Sequence, residues 1–174
     1  MRKTLEKRLT YLYSGELVSI ILFIPVSYLL NRANPSLQLY SLYSFWVSFI
    51  LLEFLLIQGT IYWYAKLIRL RNENNSTTPI GVVRLLHHMK VVNVFILIAG
   101  IFAFILDIVK YNSSLPVTGL VISMFIYIFA ILEFINYFYV QLSYDNGKDM
   151  KNLIRRRKLK ISSLRKDFKR IQKG

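Results

Sequence analysis

The sequence predicts an all-α membrane protein, a bundle of four transmembrane helices followed by a basic amphipathic helix at the C-terminus. Hydrophobic residues make up 55% of the 174 residues, although the formal net charge is +14. The apolar residues fall in four long runs, and the basic residues lie between and after these runs. Each run can cross a bilayer as a helix, whereas an open sheet would leave its edge groups unpaired in lipid.

The four predicted spans form a transmembrane domain at residues 11–144. A basic N-terminal segment of residues 1–10 precedes it, and a basic tail of residues 145–174 follows it. A helix needs roughly 20 apolar residues to cross the hydrocarbon core. This length places the spans at about residues 11–30, 42–64, 91–109 and 117–143.

The connection between the second and third spans has two predicted parts. Residues 72–79 are rich in Asn, Ser and Thr and predict a loop. Thr78 followed by Pro79 is typical of a helix start. The segment from Ile80 to Met89 is therefore expected to form a short helix that merges into the third span.

The distribution of basic residues predicts the orientation. Lys and Arg number four before the first span, one in the first loop, five in the middle connection, one in the third loop and twelve in the tail. Cytoplasmic loops carry the excess of Lys and Arg in multi-pass proteins. We therefore expect a multi-pass protein of the cell membrane with its N- and C-termini in the cytoplasm.

A faint internal repeat relates the second and fourth spans. Leu-Glu-Phe occurs at residues 52–54 and again at residues 132–134, and an aromatic-rich stretch follows each copy. Two helical hairpins in parallel orientation, related by an axis along the membrane normal, would produce such a pattern.

The two acids of this repeat, Glu53 and Glu133, are the candidate functional pair. An acid within a span is costly and marks a functional site by default. With Asn136 and Tyr137 nearby, the pair is expected at similar depth, either as an ion or proton site or as protonated side chains that hydrogen-bond neighbouring helices. Gln58 and Asn93 are further candidate partners.

Two other acids have simpler predicted roles. Asp107 precedes Lys110 by three residues, which predicts an exposed ion pair on one helix face. Glu16 lies near the inner boundary, where a basic residue of the middle connection is its expected partner.

Several classes of chemistry find no support in the sequence. The chain has no cysteine, which excludes disulfides, thiolate catalysis and Cys-ligated metal. His87 and His88 are adjacent, so on a helix they point about 100° apart and do not clamp one metal ion. Motifs of hydrolases, metalloproteases and phosphate-binding loops do not occur. We expect no catalytic residues, no metal site and no cofactor.

The tail has apolar positions at alternating steps of three and four residues, which predicts a helix with one apolar seam flanked by charge. The seam comprises Met150, Ile154, Ile161, Leu164, Phe168 and Ile171. The basic residues expected to bind lipid or a partner are Arg155, Arg156, Arg157, Lys158, Lys160, Arg165 and Lys166. The anionic inner leaflet is the favoured partner, ahead of a second copy or a protein partner. Nucleic acid is disfavoured because aromatic residues for base stacking do not interleave with the charges.

These patterns predict a non-enzymatic membrane protein. Its expected role is that of a sensor, accessory or immunity-type subunit, which acts through helix packing, as a homo-oligomer or with a partner, and through its basic tail. The alternative is a small ion- or proton-coupled channel or transporter that uses Glu53 and Glu133.

Overall fold

The computed structural model describes residues 2–112, 114–142 and 160–171, and within them the secondary structure is helical apart from turns and one isolated bridge. The four long helices are α1 (Arg2–Ala33), α2 (Tyr43–Glu73), α3 (Ile80–Tyr111) and α4 (Val117–Phe138), and the shorter helix is α5 (Ser163–Ile171). Two single-turn 3-10 helices, Pro35–Leu37 and Leu39–Ser41, connect α1 to α2. All four long helices are long and apolar enough to cross a membrane. The predicted four-helix fold is confirmed.

The helices run beyond the predicted spans at one end of the bundle, which we call the tail end. It contains the starts of α1 and α3, the ends of α2 and α4, and α5. The opposite end, with the connections before α2 and α4, is called the far end. At the tail end α3 is continuous from Ile80, as the merging of the short helix with the third span predicts. In contrast, α4 ends at Phe138, before the predicted boundary at residue 143, because the chain there turns to pair with residues 160–162.

Helix α2 is the centre of the bundle, and each of α1, α3 and α4 packs on it. Its leucines and Tyr62 form the main core with apolar residues of α4. Helix α1 buries a single residue, Leu9, which packs against Leu67 and Leu70 of α2. The α1–α2 hairpin is tightly packed, whereas α3 and α4 touch each other little. The resemblance between the two hairpins therefore does not extend to their packing.

The far end contains a buried acid where an exposed one was predicted. Asp107 is fully buried, and its two carboxylate oxygens accept hydrogen bonds from the backbone amides of Tyr43 (2.9 Å) and Ser44 (2.8 Å). These amides belong to the first turn of α2, whose donors have no partner within the helix. Asp107 of α3 thus caps α2 from outside. The predicted pair with Lys110 is wrong, because Lys110 donates instead to the backbone oxygen of Ser41.

A pair of amides joins α2 to α3 in the middle of the bundle. Gln58 donates to Asn93 Oδ1 at 3.0 Å, and Asn93 donates to Gln58 Oε1 at 2.9 Å. Both side chains are buried. Since each amide satisfies the other, these two residues are interhelical partners of each other.

Candidate functional site at the tail end

The structure places Glu53 on the outward side of α2. Ile50 and Ile57, three and four residues away on the same face, are exposed to the surroundings of the bundle. Glu53 Oε1 is itself buried and has no hydrogen-bond partner among the described residues.

Glu133 lies close to Glu53 in depth. Helices α2 and α4 run in the same direction, and Tyr137 of α4 meets Gly59 of α2. Glu53 lies six residues before Gly59 and Glu133 four residues before Tyr137, so this register puts Glu133 about two residues, or about 3 Å, nearer to the tail end than Glu53.

The other predicted site residues on α4 do come together. Asn136 donates to Glu133 Oε2 at 3.3 Å and accepts a hydrogen bond from the backbone amide of Leu142 at 2.8 Å. Asn136 therefore connects the acid to the segment that leaves α4. The partner of Tyr137 is a different acid, which lies on α1.

Glu16 is the acid at the centre of this site. Its Oε1 accepts hydrogen bonds from the indole of Trp63 (2.8 Å) and from the hydroxyl of Tyr137. Its Oε2 is buried without a hydrogen-bond partner among the described residues. A basic partner was predicted for Glu16 from the sequence, whereas the structure joins it to two aromatic side chains.

A glycine makes this approach possible. A Cβ on residue 59 would lie 2.2 Å from Glu16 Oε2 and 2.3 Å from the hydroxyl oxygen of Tyr137. Only a residue without a side chain lets α1 and α4 meet over α2 at this level. Gly59, inside an apolar span, was the sequence signal for a close approach.

A cavity of about 230 Å³ opens beside Glu16. Leu5, Leu9, Leu12 and Glu16 lie on one face of α1, at the spacing of one helical stripe, and form one wall. The other walls come from α2, the end of α4 and the C-terminal segment: Tyr62, Trp63, Lys66, Asn136, Tyr137, Gln141, Lys160, Ile161, Ser162, Ser163, Leu164 and Lys166. Arg8 also lines it.

The cavity combines one acid with several cations. Lys66 donates to the hydroxyls of Tyr62 and Ser163, in both cases at 3.3 Å. Among the ion pairs of the described residues none includes Lys66. Lys160 and Lys166 lie along the same cavity. The walls thus present a carboxylate and cations to the same enclosed space, with aromatic rings between them.

The C-terminal segment closes the cavity by returning to the bundle. The backbone amide of Gln141 donates to the oxygen of Lys160 at 2.8 Å, and the amide of Ser162 donates to the oxygen of Tyr139 at 3.3 Å. The chain therefore leaves α4 and comes back to it at the same place. Helix α5 begins directly afterwards.

Asp167 fastens α5 to the bundle. Its Oδ2 accepts hydrogen bonds from the hydroxyls of Tyr62 and Thr78, both at 2.8 Å, and its Oδ1 lies 3.3 Å from Arg170. Arg170 in turn donates to the backbone oxygen of Thr78 at 2.7 Å. Thr78, which with Pro79 was predicted to mark the start of a helix, lies just before α3 and binds α5 through its side chain.

The apolar seam of α5 also faces the bundle. Leu164 is buried in the main core, and the ring of Phe168 packs against the rings of Phe138 and His87. Of the predicted basic binding residues, Lys160 and Lys166 line the cavity, and Arg165 lies over the ring of Tyr139. Arg155, Arg156, Arg157 and Lys158 lie outside the described residues, as do Met150 and Ile154 of the seam.

The geometry of the tail end gives little support for other kinds of site. Within the described residues no group of three His, Asp or Glu side chains is placed to hold a metal ion. No family model, curated protein or solved structure matches the chain. The fold and the site define a class, a multi-pass helical membrane protein with a mixed-charge cavity closed by its own C-terminal helix.

Proposed function

We propose that the protein is a non-enzymatic subunit of the cell membrane, of the sensor or accessory kind, whose basic C-terminal segment binds anionic lipids of the inner leaflet. In this arrangement the tail end faces the cytoplasm, as the distribution of Lys and Arg favours. The supporting observation is the backbone pairing of Gln141 with Lys160. Through it, the chain enters and leaves the basic stretch of residues 143–159 at the end of a membrane-spanning helix.

Charge is the expected basis of this binding. Residues 143–159 contain six basic residues, and each Lys or Arg near an anionic membrane contributes about 1 kcal/mol. Leu164 and Phe168 of the apolar seam pack on the bundle and are therefore not available for insertion into lipid. Attraction by charge without apolar insertion weakens steeply as salt is added.

Docking of α5 gives a way for lipid binding to act on the bundle. Asp167 joins α5 to Tyr62 of α2 and to Thr78 before α3. A change in the position of the basic stretch is therefore expected to alter the contacts of α5 with both α2 and the start of α3. This connection is why a sensor or accessory role is favoured over a purely passive attachment.

Tryptophan fluorescence tests the proposal, since the chain has two tryptophans, Trp46 and Trp63. W46F leaves Trp63 as a reporter at the tail end. In vesicles that mix phosphatidylcholine with brominated phosphatidylglycerol, we expect quenching to report a several-fold preference for the anionic lipid. The preference falls toward one in about 0.5 M salt.

Two matched variants sharpen this experiment. Replacement of Arg155, Arg156, Arg157 and Lys158 by Gln is expected to remove most of the preference. Replacement by Gln of Arg32 and Lys110, which lie at the far ends of α1 and α3, is expected to leave it unchanged. Equal preference in all three proteins would contradict the proposal.

The alternative function, ion or proton coupling, has one observation in its favour. Glu133, Asn136 and Glu16 cluster beside a cavity at the tail end. E133Q and E53Q in proteoliposomes with a pH-sensitive dye test it. Proton flux in the wild type that is lost in E133Q, with unchanged folding, would favour transport over the accessory role.

A further inference from the structure

We infer that the tail-end cavity is a binding site for a phosphate group, held by Lys66 of α2 and by Ser163 and Lys166 of α5. All three side chains line the cavity. None of them belongs to the basic stretch of residues 143–159, on which the proposed function rests. The two proposals can therefore fail independently.

Positive charge prevails in the walls of the cavity. The described residues contribute four basic side chains to these walls and one acid, Glu16. Glu16 Oε1 already accepts two hydrogen bonds, and Oε2 packs against Gly59 between the helices. Among the described residues no carboxylate lies within 4.0 Å of Lys66 or Lys166. The charge of these two lysines is therefore not neutralised by an ion pair within the described part of the chain.

Lys66 is the partly buried cation of the site. Its ammonium donates to the hydroxyls of Tyr62 and Ser163, in both cases at 3.3 Å, which is long for a hydrogen bond. The hydroxyl of Tyr62 connects Lys66 to Asp167 without direct contact between the two charges. Removal of an ammonium from water is costly unless it is paired with an opposite charge. An anion beside Lys66 would supply that charge.

Helix α5 supplies the second half of the site. Ser163 Oγ lies 3.3 Å from Lys66 Nζ and accepts its hydrogen bond, so the hydroxyl hydrogen of Ser163 can be donated to an anion. This distance brings an ammonium and a hydroxyl within reach of one small anion. Lys166, three residues further along α5, lines the same cavity and is exposed. It therefore adds positive charge where a ligand can enter.

A phosphate group suits these donors better than a carboxylate or a chloride ion. A phosphate monoester has a charge of about −1.5 to −2 at neutral pH and three strong acceptor oxygens. Its oxygens point in different directions, so one group can accept from α2 and from α5 at once, and lysine is a common phosphate binder. A cavity of about 230 Å³ that holds several water molecules has room for it.

A phosphate bound in this way connects α2 to α5. Lys66 lies on α2, whereas Ser163 and Lys166 move away from it whenever α5 leaves the bundle. The ligand therefore binds the docked state of α5 in preference to the undocked state. A ligand with this preference stabilises the docked state by mass action. Protection of the α5 amides from hydrogen exchange measures that effect.

Hydrogen exchange of the purified full chain in an uncharged detergent tests the site. The protein is titrated with inorganic phosphate, with sodium chloride of the same ionic strength as the control, and exchange is followed at residues 166–171. Protection is expected to double at a phosphate concentration equal to the Kd and to rise about tenfold at about nine times that concentration. Chloride is expected to leave protection unchanged.

A second arm separates the two sources of the phosphate group. Phosphatidic acid is added to the same micelles in place of free phosphate. A rise in protection with inorganic phosphate supports a site for a soluble phosphate, and a rise with phosphatidic acid alone supports a site for a lipid headgroup. If neither compound raises protection above the chloride control, the inference is wrong.

Three lysine variants assign the binding residues. K66Q and K166Q each remove one cation from the cavity and are expected to weaken the response to phosphate several-fold, whereas K169Q, exposed elsewhere on α5, keeps it. Lys66 also contacts Tyr62, so the quantity compared is the change in protection when phosphate is added and not its starting value. A full response in both K66Q and K166Q contradicts the assignment.

Replacement of Arg155, Arg156, Arg157 and Lys158 by Gln distinguishes this inference from the proposed function. This variant is expected to lose the preference for anionic lipid and to keep the response of α5 to phosphate. If it loses the response to phosphate while K66Q keeps it, phosphate binds the basic stretch, and the cavity is not the site.

Discussion

Replacement of Asp167 by alanine is expected to release α5 from the bundle. The carboxylate accepts hydrogen bonds from the hydroxyls of Tyr62 and Thr78, which are 1% and 0% exposed. In D167A both hydroxyls lose their acceptor while they remain buried in the docked state. When α5 leaves, water reaches them, so the substitution penalises the docked state selectively.

The size of the effect follows from these two groups. A buried polar group left unpaired costs about 1–3 kcal/mol, and D167A leaves two such groups in the docked state. Because relaxation relieves part of this cost, we expect the docked state to be destabilised by about 3 kcal/mol. Every 1.4 kcal/mol changes an equilibrium constant tenfold. The population of the undocked helix is therefore expected to rise about a hundredfold. Apolar packing of Leu164 and Phe168 persists and keeps some docking.

Hydrogen exchange of the backbone amides at residues 166–171 measures this opening directly. Protection in D167A is expected to fall by about two orders of magnitude, and in D167N by about one, since the amide keeps one acceptor oxygen. K169A, on the exposed side of the same helix, is the matched control and keeps wild-type protection. If D167A exchanges within threefold of K169A, the hydrogen bonds of Asp167 do not hold α5.

Three further predictions concern the spans, and each is read from the unfolding free energy in mixed micelles. D107A leaves the two amides that begin α2 unpaired and should cost about 2–3 kcal/mol, with D107N less harmful; a neutral D107A would refute the capping role. Leucine at Gln58 or at Asn93 should each cost about 1 kcal/mol, and the double variant should cost less than the sum by about 0.6 kcal/mol. Strict additivity would mean that the amide pair contributes nothing. G59A should cost about 1–3 kcal/mol through overpacking, whereas G81A, with nothing within 4 Å of its added Cβ, should be neutral or slightly stabilising.

The spans were predictable because lipid is the solvent that selects them. Four long apolar runs need no knowledge of their partners to be recognised as helices, and the continuous α3 was predicted as well. The end of α4 was harder to predict from the sequence. Tyr139 and Val140 are compatible with a longer helix, and the helix ends because the chain pairs with Lys160 and Ile161, which is a contact between distant parts of the sequence.

The partners of the polar residues were the least predictable feature. The spacing of Asp107 and Lys110 fits a local pair, yet Asp107 binds amides more than 60 residues away because α3 crosses the start of α2. Glu53 and Glu133 share a sequence motif, but unequal packing of the two hairpins gives them different surroundings. Spacing along one helix identifies a face, and only the packing of helices identifies what that face meets.

The tail illustrates the same limit. Steps of three and four residues correctly predict the helix that contains Leu164 and Phe168. For Ile161 the prediction is wrong, because this residue precedes the helix and pairs with Val140. The pattern does not distinguish lipid, a second copy or the protein's own bundle as the partner of the seam. Asp167, which lies between the two apolar residues, was the available signal, because a lone acid on a basic helix next to its apolar seam suits a buried hydrogen-bonded position.

Helix α1 and the C-terminal segment share the walls of the tail-end cavity. Leu9 is the one residue that α1 buries, and Glu16 adds a polar attachment to the bundle through Trp63 and Tyr137. Because the cavity is closed by the segment that carries α5, it connects the first span to the C-terminal helix. Charge binding by the basic stretch, which lies between Gln141 and Lys160 in the sequence, therefore acts on the end of the bundle where α1 and α5 are attached.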